Sequence, residues 1–262
     1  MTSDPDSPSC SAEGCTTSPA QESSSTNLLG GPLELHVFSD TICPWCFVGK
    51  RRIERAIEEL RADGAQLIIR WLPFELNPDM PEGGMDRRVY RSAKFGSWEH
   101  SQALDAQVAA EGSREGIEFR HDLITRTPNT RASHRLIWLA GELGGSTLQG
   151  RLVEALFSAY FCEGRDIGDK TVLADLGARV GLDARRVEVL LEGSEGLDEV
   201  LKLELQASTA GIRSVPSVLV DGRVIFSGAL RTPLMIQALR ELLPSAAASE
   251  FSASAGDASA RS

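Results

Sequence analysis

Apolar positions along this chain fall into three zones with different periods. Leu33-Glu34-Leu35-His36-Val37-Phe38 is an extended, largely apolar run and predicts a first strand. From near Cys43 to about Leu60, Ile53, Ala56, Ile57 and Leu60 recur at helical spacing. They predict a helix with one buried face, and Pro44 is tolerated in its first turn. Leu67 to Trp71 predicts a second strand, with Leu67, Ile69 and Trp71 on one side and Ile68 and Leu72 on the other. Apolar residues on both sides predict a central strand covered by helices. Strand, helix and strand in this order predict a right-handed βαβ unit.

Periodicity then stops. From Pro73 to Gly96, Pro78, Pro81 and Gly83-Gly84 predict an irregular connection. Helical patterns dominate from Trp98 to about Thr209. Leu104 and Val108 share a face, and Leu136, Leu139 and Ala140 fit a short helix. The clearest run is Leu148, Leu152, Leu156 and Tyr160, broadened by Val153 and Phe157, with Ser146 and Gln149 at capping-box spacing. Asp169 is placed to cap a helix carrying Val172, Leu173 and Leu176. Val187, Leu190 and Leu191, then Leu197, Val200, Leu201 and Leu205, predict two more helices. The third zone is again extended. Val218-Leu219-Val220, Asp221-Gly222 and Val224-Ile225-Phe226 predict a hairpin whose turn needs positive φ. Thr232 begins a last predicted helix through Met235, Ile236, Leu239 and Leu242. The outline is an α/β domain interrupted by a helical block. Expected boundaries are a disordered leader over 1–30, the first part of the α/β domain over 31–96, and the helical insertion over 97–210. The second part of the α/β domain then covers 211–243, and a flexible tail 244–262.

Composition narrows the function. A formal net charge of −10 over 262 residues argues against a general nucleic-acid binder and favours small molecules or protein thiols as partners. No apolar run reaches bilayer length, so no membrane role is expected. The first thirty residues hold Asp4, Asp6, Glu13 and Glu22, no Lys or Arg, and no apolar centre of a secretory signal. A cytoplasmic location is therefore expected. Five cysteines do not make a disulfide scaffold at this length. Cys10 and Cys15 fall in the expected leader, and Cys162 in a helix reads as a packed thiol.

The remaining pair is Cys43-Pro44-Trp45-Cys46, at the predicted start of the first helix. Free N–H groups and the positive dipole end at a first helical turn favour a thiolate. Two thiols at this spacing can convert a mixed disulfide into an internal one. Cys43, expected at the exposed helix boundary, is the candidate nucleophile, and Cys46, one turn inward, the resolving thiol. Pro44 and Trp45 are candidates for positioning the substrate. Metal binding is the rival chemistry. No second close cysteine pair follows in the folded region, and His36, His100, His121 and His134 show no compelling spacing around Cys43, so no metal is expected. Lys50, Arg51 and Arg52 read as ordinary solvated helix residues, and Glu75 and Asp79 show no paired-carboxylate geometry.

The segment Phe38-Ser39-Asp40-Thr41-Ile42-Cys43-Pro44-Trp45-Cys46-Phe47-Val48-Gly49-Lys50-Arg51-Arg52 resembles the DsbA-like thioredoxin superfamily, especially its FrnE-like branch. Trp71 to Pro78, Tyr90 to Gly96, Asn129 to Leu136 and Gly211 to Ser217 extend the resemblance across the body of the chain, about residues 33 to 243. The resemblance implies a thioredoxin-like α/β fold interrupted by a helical insertion domain. It implies Cys43 as the attacking cysteine and Cys46 as its partner. It also implies Pro216 as a cis-proline opposite them, with Val215 before it offering main-chain groups to the substrate. FrnE-like proteins are generally cytosolic. Related hydroxychromene-carboxylate isomerases replace the leading cysteine and use glutathione, whereas both cysteines are retained here. The expectation is a cytoplasmic thiol–disulfide oxidoreductase acting on protein dithiols, protein disulfides or low-molecular-weight thiols. It requires no cofactor, and glutathione is admitted as a redox partner or co-substrate. A glutathione-dependent isomerase or transferase, and a non-enzymatic chaperone or thiol-binding module, are the alternatives. Homodimerisation stays open.

Overall fold

The chain opens with β1 (Leu33–Ser39), α1 (Pro44–Ala62) and β2 (Leu67–Pro73) in a computed structural model that describes residues 31–243. The leader, the tail, Cys10 and Cys15 lie outside the described residues. β1 and β2 pair in parallel from Leu33 against Leu67 to Ser39 against Pro73, the arrangement their separation by a helix predicts. Next come β3 (Met85–Asp86), α2 (Arg87–Phe95), α3 (Trp98–Arg114) and β4 (Arg126–Thr127). The helical block continues as α4 (Arg131–Phe161), α5 (Lys170–Val180), α6 (Ala184–Glu192) and α7 (Leu197–Thr209). The chain returns through β5 (Ser217–Val220), β6 (Arg223–Ser227) and α8 (Thr232–Arg240). β5 pairs antiparallel with both β1 and β6, giving the sheet order β2-β1-β5-β6, while β3 and β4 form a separate two-stranded ribbon. Asp221 and Gly222 take φ of 49° and 74°, as a two-residue hairpin turn demands. The result is a mixed α/β thioredoxin-like core with a large helical insertion.

β2 is an edge strand, not the central one its two-sided apolar pattern predicts, because the returning β5 takes the other side of β1. Its free edge is closed by a side chain. Gln149 on α4 accepts from the Trp71 N–H at 2.9 Å and donates to the Trp71 carbonyl at 3.1 Å. Gln149 therefore serves the sheet edge, and the capping-box role expected from Ser146 and Gln149 is not what it does. The break in α4 itself lies at Gly144 and Gly145, the latter at φ 61°, just before the expected helix start.

The connection after β2 is less irregular than its prolines suggest, since it contains α2. Apolar periodicity misses this helix because its inner face is ionic. Asp86 caps it by accepting from the Val89 N–H, and Arg87, only 4% exposed, turns inward to Asp105 on α3. The charge run on α1 is corrected in the same way. Lys50 and Arg52 are buried, not solvated. Lys50 pairs with Glu54 at 2.7 Å and Glu154 at 2.9 Å, and Arg52 pairs with Glu111 and Glu115. Apart from Glu54, one turn along α1, these partners sit about sixty and a hundred positions away, on and just after α3 and on α4, outside any local window. Beside these pairs, Phe47 stacks on Phe157 with ring centres 5.1 Å apart and meets Phe119 edge-on at 6.0 Å. The residue after Cys46 thus anchors the cysteine-bearing turn to the helical block. No described helix is long and apolar enough to cross a membrane.

Candidate active site

The approach to the cysteine pair is shaped by Asp40. Its side chain is fully buried, and its Oδ2 accepts the Leu76 N–H at 2.7 Å, tying the loop after β1 to the segment after β2. Its carbonyl accepts the Cys43 N–H at 3.0 Å. Cys43 then takes extended backbone angles (φ −92°, ψ 109°) as the N-cap of α1, with Pro44 as the first helical residue. Proline fits there because that position has no intrahelical use for an N–H. The Cys43 carbonyl accepts from Cys46 N–H at 3.0 Å, which closes the first turn with both thiols free.

The two sulfurs live in different surroundings. Cys46 is 0% exposed. Burial pushes its thiol well above the usual thiol range, and its hydrogen bond and proximity to Cys43 add to that. The Ser39 hydroxyl and the Asp40 backbone N–H act in the opposite direction. Cys43 stands at the helix boundary as expected but is only 6% exposed, so the expectation of an exposed thiol is corrected. The physical reason is the loop after α7. Cys43 Sγ donates to the Val215 carbonyl at 3.8 Å, a contact between residues 172 positions apart. The Val215–Pro216 peptide is cis, and both residues are buried. Gly49, on the second turn of α1, lets this loop come close: a Cβ there would stand 2.8 Å from Pro216 Cγ. Below the loop, Ser217 Oγ bonds the Ser214 carbonyl and Ser227 Oγ, both at 2.7 Å. Pro44 is half-buried beside the thiol, and Trp45, 39% exposed, is the most open residue of the motif.

Residues with no strong sequence signal complete the surroundings. His134 on α4, 3% exposed, places Nε2 at 3.5 Å from Asp40 Oδ1. Thr41 Oγ1 and Ser133 Oγ lie 2.9 Å apart. Glu75 pairs with Arg131 at 2.7 Å, and its N–H donates to Glu204, whose carboxyl is raised by burial and by the charge of Glu75. An aspartate between an apolar strand and a helix start was the one available hint of Asp40. Nothing local marks its pairing with His134. Cys162 is the C-cap of α4, its thiol raised by burial and by Glu154 and Glu163. No group of three or more His, Cys, Asp or Glu side chains able to hold a metal occurs among the described residues.

The chain is 31% identical over 196 residues to the uncharacterized protein YwbO of Bacillus subtilis (strain 168), covering 74% of this chain and 89% of that protein. It is similar, at 31% identity and a TM-score of 0.70, to a probable DsbA oxidoreductase from Streptomyces coelicolor, over 80% of this chain and 89% of the other. It also shares its fold with the cytosolic disulfide reductase DsbM from Pseudomonas aeruginosa, at 21% identity and a TM-score of 0.53, over 84% and 98% of the two chains. The model of the DSBA-like thioredoxin domain matches residues 34–240, from β1 to the end of α8. With a match of that extent over this fold, the chain belongs to the DSBA-like thioredoxin family, whose general chemistry is thiol–disulfide exchange.

Proposed function

We propose that the protein is a thiol–disulfide oxidoreductase working through Cys43 and Cys46. The observation that carries this reading is the division of labour between the sulfurs: one at a helix N-cap under a main-chain carbonyl, its partner fully buried one turn inward. Cys43, as thiolate, attacks one sulfur of a substrate disulfide. The substrate S–S bond breaks, a Cys43–substrate disulfide forms, and the other half leaves as a thiolate. Cys46 then gives up its proton and attacks the Cys43 sulfur, releasing the second half of the substrate. Two electrons pass from the cysteine pair to the substrate, and the reverse sequence oxidises a dithiol. The raised thiol of Cys46 means that this second step speeds up as pH rises.

Val215 and Pro216 form the wall beside the reacting sulfur, and Pro44 and Trp45 its rim. No cofactor is needed for these steps. Partners are protein dithiols, protein disulfides or low-molecular-weight thiols. Glutathione is included as a redox partner, a reading supported by the fold shared with DsbM, a cytosolic disulfide reductase with a structure containing GSH. The same likeness, and the FrnE-like segment around the cysteines, support a cytoplasmic location.

The test is trapping. Cys46→Ser protein stalls after the first step, so mass spectrometry of captured partners should find the mixed disulfide on Cys43. Capture through Cys162 alone, or turnover retained by the Cys43→Ser, Cys46→Ser double variant, would overturn the assignment.

A further inference from the structure

A small pocket opens beside the first turn of α1. Ile42 and Pro44, the two sequence neighbours of Cys43, form one wall, and α2 forms another. Its charge is unbalanced. Arg87 and Arg91 share a single carboxylate, Asp105, at 2.7 Å each. Lys94 adds an ammonium that bonds only neutral groups, Asn77 Oδ1 at 2.8 Å and the Tyr90 hydroxyl at 2.7 Å. Three cations therefore face one anion. The nearby His121 adds no charge of its own, because burial lowers its imidazole to about 4 and leaves it neutral at ordinary pH.

A second observation is independent of charge. Arg87 Nε, Asn77 Nδ2 and His121 Nε2 are buried atoms with no hydrogen-bond partner in the protein. Buried polar groups are normally satisfied, so unused ones around one pocket point to a ligand that satisfies them. The net charge of the whole chain is −10 and repels anions at long range, but charges beyond about 8 Å are largely screened at physiological salt. The local excess of positive charge decides what enters.

We infer that this pocket binds a carboxylate of the substrate, so that Cys43 acts preferentially on small anionic, peptide-like disulfides. This rests on the exchange reaction proposed above and adds its substrate class. Lys94 at the rim and Arg91 deeper in receive the carboxylate, while Ile42 and Pro44 pass the attached sulfur to Cys43.

The experiment compares kcat/KM for oxidised glutathione with that for the neutral bis(2-hydroxyethyl) disulfide. Wild-type protein should favour oxidised glutathione. Lys94→Gln should lower that ratio roughly tenfold, the usual worth of one charge-assisted hydrogen bond, and Lys94→Arg should restore most of it. Lys202→Gln, on α7 and in another cleft, should leave the ratio unchanged. A wild-type ratio near one, or a ratio unmoved by Lys94→Gln, would overturn the proposal. Calorimetric binding of S-methylglutathione to Cys43→Ser protein separates the two readings. Binding lost in Lys94→Gln, together with a wild-type protein that turns over neither disulfide, supports the pocket and overturns the exchange reaction. Absence of binding overturns the pocket alone.

Discussion

Replacing Gly49 by alanine tests whether the Val215–Pro216 loop is held by close packing against α1. Two effects compete. Alanine in a helix interior is favoured over glycine by about 1 kcal/mol. Against this, the new methyl would stand 2.8 Å from Pro216 Cγ, where carbon atoms rest at roughly 3.5–4.0 Å. Relief requires a movement of about 0.7 Å or more; a change of ring pucker at Pro216 supplies part of it, and the rest falls on the loop backbone. Overpacking of this kind typically costs about 1–3 kcal/mol, so the net destabilisation should be roughly 0–2 kcal/mol. The larger effect falls on chemistry, because the loop that moves carries the carbonyl facing Cys43 Sγ. Misplacement near 1 Å can cost about a hundredfold, so a ten- to hundredfold loss in kcat/KM is expected. Gly150→Ala is the matched control. That glycine lies within α4, and its added Cβ would find only Trp71 Nε1, at 3.9 Å. It should gain about 1 kcal/mol and keep full activity. Urea midpoints and turnover of bis(2-hydroxyethyl) disulfide would be measured for both variants. Should Gly49→Ala gain as much stability as Gly150→Ala and keep its activity, the packing argument is refuted.

Two further outcomes concern stability. Gln149→Leu keeps the volume but leaves the Trp71 N–H and carbonyl at the sheet edge without their partner, and should cost about 1–3 kcal/mol in urea unfolding. A loss below about 0.5 kcal/mol would mean that water serves the edge equally well. The second outcome is a pH dependence set by His121. It faces Asp105, Arg87, Arg91 and Asp122, and burial lowers it from 6.5 to about 4. The folded protein refuses a proton that the unfolded chain accepts, so the stability is fully present above pH 6.5 and is lost as pH falls toward 4. Between pH 7 and about 4.5 the loss should be roughly 2.5 kcal/mol, and His121→Gln should flatten that part of the profile. Parallel profiles for the two proteins would exclude His121 as the cause.

Much of the frame was legible locally. The Asp221-Gly222 turn, the apolar run of β1 and the spacing of Ile53, Ala56, Ile57 and Leu60 each act within a few residues, and each element formed where its pattern predicts. The cysteine pair was legible for the same reason, since a helix start depends on its own first turn. Helix α2 was not, because Arg87 faces inward only when Asp105 on another helix receives it. Lys50 and Arg52 likewise look solvated until Glu154, Glu111 and Glu115 are brought beside them. The covered state of Cys43 depends on a carbonyl 172 positions away, and the pairing of Asp40 with His134 on a helix across the core. By itself, then, the sequence determined the local elements and the place of the Cys43–Cys46 pair at a helix start, through periodicity and turn chemistry. Tertiary structure alone decided which charges are buried, how Cys43 is covered and what lines the pocket beside it. A charge or a carbonyl finds its partner through space, and no pattern along the chain records that distance.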